Sequence, residues 1–280
     1  MKNFGRLLTM ILAMTAILLL ARASNAGGVL RLSDGRVTGL DRMIEEVKGA
    51  RLIFVGESHD LVENHKAQLE IIEKLHTNGV QLAIGLEMFT TIGQGALDRW
   101  VAGTLDPDYF IKLYYREWYM PWPLYRDIFL YARVLRIPLV GLNVPRSISH
   151  KVARQGFAAL TPEERKKLPA GVTCSIDPIY REFIRSAYAE HVRNDNSFDH
   201  FCEAQMLWNK SMGRHLQEYL DRNPRATVVV LAGVGHAMKR GIPEEVYKTS
   251  GISYKVILPE LLELDRSKVT DKDADYLLLR

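Results

Sequence analysis

Arg51-Leu52-Ile53-Phe54-Val55 runs directly into Gly56-Glu57-Ser58-His59, and Thr227-Val228-Val229-Val230-Leu231-Ala232 runs directly into Gly233-Val234-Gly235-His236. Short β-branched and aliphatic runs stopped by glycine are the pattern of buried strands in an α/β sheet. A third run, Leu82-Ala83-Ile84-Gly85-Leu86, delivers Glu87. Open α/β sheets bind ligands beyond the carboxyl ends of their strands. His59, His236 and Glu87 are therefore expected to meet in one crevice. A single Gly-x-x-His carries little weight, because glycine is common wherever a strand turns. The hypothesis rests on the pair.

Outward from these strands the chain alternates. Val62 to Asn78 reads as a helix, with Leu69, Ile72 and His76 on one stripe, Ile71 and Leu75 beside it, and Gly79 as its stop. Strand, helix and strand make a βαβ unit with parallel strands. Pro138 to Leu142 and Tyr254 to Leu258 are further strands, and Asp275 to Leu279 is expected as a terminal edge strand. Thr161-Pro162-Glu163-Glu164 starts a helix. Ser197 to Leu220 carries Phe201, Gln205, Trp208, Met212, His215 and Tyr219 at alternating spacings of four and three, the pattern of a packed helix face. The fold class expected is α/β: a mostly parallel central sheet with large helical insertions between strands.

The amino-terminal stretch reads differently. Lys2 and Arg6 precede an apolar run from Leu7 to Ala21, and Ser24-Asn25-Ala26 forms a small-x-small cleavage site. Residues 1–26 are read as a secretory signal peptide, too short and wrongly flanked for a membrane anchor. That leaves 27–280 as a single exported domain, expected to be soluble and periplasmic with no permanent membrane anchor. The only cysteines are Cys174 and Cys202, so no lipid-anchor cysteine follows the cleavage site. In an oxidising compartment the two can pair, or stay as buried thiols. Both readings stand open at this stage. Three of the 37 basic residues lie in the signal (Lys2, Arg6, Arg22), leaving 34 against 33 acidic residues, a net charge of +1. Such a balance gives no electrostatic case for nucleic acid.

Ten of the 25 aromatic residues fall between Tyr109 and Tyr131. A tyrosine-rich wall suits a flat, partly polar ligand or a partner surface. An amphipathic helix pair packed on the sheet fits the same pattern.

Gly56-Glu57-Ser58-His59, Gly85-Leu86-Glu87-Met88-Phe89, Trp122 to Arg133 with Tyr125, Asn143-Val144-Pro145-Arg146 and Ala232-Gly233-Val234-Gly235-His236 together resemble the ChaN-like haem-binding uptake family, grouped with the Tiki/TraB and erythromycin-esterase-like proteins. The resemblance extends from about Arg51 to Pro259. It implies export, haem binding, a link to iron acquisition and a homodimer with tyrosine on the haem iron. It also implies a shared cluster of His59, Glu87, Arg146 and His236. Tyr125, in the Trp-x-x-Tyr stretch, is the first choice for the iron ligand, with Tyr119 and Tyr180 behind it. Phenolate and imidazole both ligate haem iron, and Arg146 with a histidine suits the propionates. The absence of Cys-x-x-Cys-His excludes covalent c-type attachment.

The same residues permit a second chemistry. His59 and His236 with Glu87 or Glu57 would make a His/His/carboxylate site for a divalent metal, with the other glutamate as general base of a hydrolase. The helical His-Glu-x-x-His signature is absent. A third reading is a docking protein whose aromatic wall binds another exported protein.

Overall fold

The computed structural model describes residues 28–191, 197–260 and 268–280. The signal-peptide reading therefore lies outside the described residues. The strands are β1 (Val29–Arg31), β2 (Arg36–Thr38), β3 (Leu52–Glu57), β4 (Leu82–Thr90), β5 (Leu139–Asn143), β6 (Thr227–Gly233), β7 (Tyr254–Pro259) and β8 (Tyr276–Leu278). They form one sheet in the order β2-β1-β8-β7-β3-β6-β4-β5. The pairings from β8 through β5 are parallel, and β1 runs antiparallel to both β2 and β8. Every residue of β3, β4 and β6 is buried, which is why these strands read as unbroken apolar runs.

Helices cover both faces. α1 (Leu40–Val47), α2 (Val62–Thr77), α3 (Gln94–Val101), α4 (Pro107–Glu117) and α5 (Trp122–Leu135) share one core, with Met43, Ile72, Trp100, Phe110 and Phe129 inside it. On the other face lie α6 (Arg146–Gln155), the short α7 (Pro162–Lys166) with its Thr161–Glu164 capping box, α8 (Pro178–His191), α9 (Phe198–Arg222), α10 (Val234–Ala237) and α11 (Ile242–Ser250). Val152, Ile184, Leu207, Leu216 and Val246 fill that second core. Alternation along β3 assigns the sides: Ile53 and Val55 enter the first core, Leu52 and Phe54 the second. The mostly parallel α/β class is as expected.

Two local expectations change, and a third is met with a strand inserted. β8 is not the edge strand; it sits between β1 and β7, and the β1–β2 hairpin supplies the edge. β3 and β4 are parallel as the βαβ reading requires, but β6 lies between them. In α9 the fully buried row is Cys202, Met206, Asn209, Gly213, Leu216 and Leu220, one residue round from the expected stripe, of which only Met212 is buried. α9 is pressed between β5, α6 and α11, so its buried face is wider than aromatic spacing alone suggests.

The aromatic segment is mostly core. Phe110, Tyr114, Trp122, Tyr125 and Phe129 are buried, with Phe110 stacked on Trp100 at 4.1 Å between ring centroids. This is the helix-pair reading. Tyr109, Tyr115 and Tyr119 remain exposed. Cys174 and Cys202 are disulfide-bonded, joining the stretch before α8 to α9.

Candidate functional site

Parallel register brings the two motifs side by side. Gly56 pairs with Ala232 and Glu57 with Gly233, so both histidine-bearing turns leave the sheet at one edge. The pleat then sends two carboxylates in opposite directions. Glu57 continues the Ile53, Val55 row toward α2 and α5. Glu87 follows Ala83 and Gly85, whose surroundings belong to the second core, and points toward α9 and α10.

Glu57 is fully enclosed and accepts from four side chains. His59 Nδ1 lies 2.8 Å and the Tyr125 hydroxyl 2.5 Å from Oε1. Gln68 Nε2 donates to Oε2 at 2.8 Å, and His65 Nδ1 is 3.3 Å from the same oxygen. Burial opposes the charge most strongly, yet the hydrogen bonds from His59 and His65 outweigh it and hold the carboxyl well below the usual carboxylate range. His59 mirrors this. Burial works against its charge, but the bond to Glu57 and the fields of Glu87, Glu57 and Asp60 raise it to about 9. His65 is also raised, burial being overcome by Glu57. Its Nε2 lies 3.1 Å from the His59 carbonyl oxygen, so both ring nitrogens face acceptors.

On the other side of the edge, Glu87 Oε2 accepts from the Gly233 amide at 2.7 Å, and Oε1 lies 3.7 Å from His236 Nε2. His236 Nδ1 meets Asn209 Oδ1 at 2.6 Å, Asn209 Nδ2 donates to the Tyr180 hydroxyl at 2.8 Å, and that hydroxyl donates to the Gly235 carbonyl oxygen at 2.8 Å. Burial, outweighing Glu87 and helped by His59, lowers His236 below its ordinary value. Gly233 joins the halves: a Cβ there would stand 3.2 Å from His59 Nε2 and 3.8 Å from Glu87 Oε2. Glycine is needed at this close approach.

The edge thus gathers Glu57, His59, Glu87 and His236. Arg146 is exposed at the start of α6, directly after β5, the strand next to β4 in the sheet. Tyr119 is 62% exposed, and burial of its inner side raises its phenol. His65, Gln68, Asn209 and Trp118, whose ring packs edge-on against His59 at 5.0 Å, belong to the site but escaped the sequence reading.

Two expectations are corrected. Tyr125 is a poor iron ligand: its hydroxyl is fully buried, bonded to Glu57, and its phenol is pushed far up by burial and by that carboxylate. Tyr180 is enclosed in the same manner between Asn209 and Gly235. The divalent-metal alternative built on His59, Glu87, His236 and Glu57 also finds no support. Among the described residues no three His, Cys, Asp or Glu side chains are placed to hold a metal ion. Both oxygens of Glu57 are already taken by donors from His59, Tyr125 and Gln68.

The molecule is thus a mostly parallel α/β sheet wrapped by helices, with paired Gly-x-x-His turns at one edge. The family model described as "Haem-binding uptake, Tiki superfamily, ChaN" matches residues 43–246, and this chain belongs to that family. Among solved structures it is similar to one titled "Cofacial heme binding to ChaN of Campylobacter jejuni", with a TM-score of 0.72 and 21% identity over 91% of this chain and 96% of that one. It is also similar to the type III effector HopBA1, with a TM-score of 0.50 and 13% identity over 85% and 90% of the two chains. At these identities the likeness is one of fold. Comparison with curated proteins gave no match.

Proposed function

We propose that this protein binds haem as cargo at the carboxyl edge of its sheet and works, after export, in haem or iron uptake. In this reading residues 1–26 are removed, and 27–280 form one soluble periplasmic domain. The carrying observation is Tyr119. Of the three candidate tyrosines it alone is open to solvent, and its ring packs on Trp118, which packs in turn on His59. Its neighbourhood suits a flat apolar ring. Glu117 accepts from the Thr90 amide at 3.0 Å, so the loop carrying Ile92, 74% exposed, is tied to the turn carrying Tyr119. Arg146, exposed and cationic, and His59, held protonated, suit the propionates. Tyr119 would supply a phenolate to ferric iron, the metal displacing the phenolic proton. A ring on an open platform leaves one face bare, which a second copy of the chain would cover. The cofacial haem binding of the Campylobacter relative favours such a pairing.

A haemin titration of the purified protein tests this. Tyr119→Phe should weaken binding by about tenfold or more and change the ferric spectrum, a loss of at least about 1.4 kcal/mol. Tyr125→Phe and Tyr180→Phe, which remove enclosed hydroxyls, should leave the ferric spectrum nearly unchanged. A wild-type protein that does not take up haemin refutes the reading.

A further inference from the structure

The polar chain beyond Glu87 fixes more than the place of His236. Asn209 is fully buried. The Tyr180 hydroxyl has one proton, and the Gly235 carbonyl oxygen 2.8 Å away can only accept it. Tyr180 therefore shows lone pairs to Asn209, whose Nδ2 donates to it at 2.8 Å. The amide must then turn Oδ1 toward His236 Nδ1, 2.6 Å away. An amide oxygen only accepts, so Nδ1 carries the proton. Turning the amide over would aim the Tyr180 proton at Asn209 and leave two bare oxygens 2.8 Å apart at Gly235. Only the first arrangement satisfies every member of the buried chain.

The neutral ring then keeps Nε2 bare, facing Glu87 Oε1 across 3.7 Å, beyond hydrogen-bond range. Both side chains are more than nine-tenths buried there. Two acceptors side by side admit a hydrogen-donating group and repel a further carboxylate.

We propose that Tyr180 and Asn209 are positioning residues that lock His236 as the Nδ1–H tautomer, so that Nε2 and Glu87 form a paired acceptor site beside the cargo. That site turns haem propionates away from His236 and toward Arg146 and His59. What Nε2 meets rests on the haem reading above; the tautomer does not.

Nitrogen-15 NMR of the histidine-labelled protein near pH 7.5 reads the tautomer directly, with His236→Gln for assignment. Wild type should show a pyrrole-like Nδ1 and a pyridine-like Nε2. Asn209→Leu should reverse this, the proton moving to Nε2 to donate toward Glu87. Asn209→Asp, an acceptor only, should restore the proton on Nδ1. Tyr180→Phe frees the amide to turn and should give a mixture. An Nε2–H wild type, or no change in Asn209→Leu, overturns the lock, and the wild-type spectrum decides even where a variant does not fold. Haemin titration of the same samples separates the two readings. About tenfold weaker binding in Asn209→Leu supports both, whereas a reversed tautomer with unchanged affinity upholds the lock and removes His236 from the haem surface.

Discussion

Tyr125 donates its hydroxyl to Glu57 Oε1 across 2.5 Å, joining the buried face of α5 to the last residue of β3, 68 positions earlier. The bond identifies Tyr125 as part of the support beneath His59 rather than as a contact surface. Tyr125→Phe removes one of four donors from a buried carboxylate. Unfolding in denaturant should show a loss of about 1.5–3 kcal/mol, the range for hydrogen bonds to charged groups. Unaltered stability would show that the hydroxyl is not bonded there.

The histidines around Glu57 give stability a defined pH dependence. His59, raised from 6.5 to about 9, and His65, also raised, contribute fully below 6.5. The His59 share is lost as pH rises through about 9. Glu57, lowered from 4.5, contributes above that value and loses its share only as pH falls below it. His236, lowered from 6.5, is neutral in both folded and unfolded chains above 6.5 and adds no slope there. Unfolding free energy should therefore fall between pH 6.5 and 9. Glu57→Gln should flatten that fall and return the NMR titration of His59 toward or below 6.5.

Gly233→Ala places a methyl 3.0 Å from His59 Cε1. The backbone there has φ −53, which any residue adopts, so the effect is confined to crowding. His59 must move away from Glu87. We expect shifted His59 resonances, weaker haemin binding and a stability loss of about 1–3 kcal/mol. Wild-type haemin affinity in this variant would separate the ring of His59 from the binding surface.

Arg146→Ala removes the exposed cation that opposes Glu87 at Tyr119. Haemin binding should weaken by about tenfold, equivalent to about 1.4 kcal/mol. Binding should also lose most of its sensitivity to ionic strength, because the propionate contact is a surface ion pair. Equal salt dependence in variant and wild type would assign the propionates elsewhere.

Reducing Cys174–Cys202 opens a loop with a sequence separation of 28, for which chain entropy gives about 3.5 kcal/mol. Denaturation with and without reductant measures it. The bond also anchors the approach to α8, which carries Tyr180, so the tautomer spectrum of His236 is a second reporter.

The strand ends were legible because glycine-stopped apolar runs have few other readings, and their convergence followed from parallel pairing alone. The supports were harder to see. His65 and Gln68 lie three apart on α2 with Asn64 on the same buried face, a polar start to a stripe that continues as Ile71, Ile72 and Leu75. Attention to the apolar positions hides it. Asn209 and Tyr180 come from α9 and α8 and meet His236 only through tertiary packing, for which local spacing holds no signal. The aromatic density around Tyr125 misled for a related reason: composition does not say which rings turn inward. The three-residue strands β1 and β2 are too short to show a period, so the true sheet edge went unread.

The strand order has a consequence in time. β6 separates β3 from β4, and β8 pairs with β1, so residues 276–278 close onto residues 29–31. A chain emerging from its amino terminus makes β3 and β4 long before the strand that both must flank. Until Thr227–Gly233 arrives the centre of the sheet is missing, and until Tyr276–Leu278 arrives the β1–β2 hairpin has no partner. Such long-range pairing folds late and slowly. The sheet therefore stays incomplete until both of these late strands have been made.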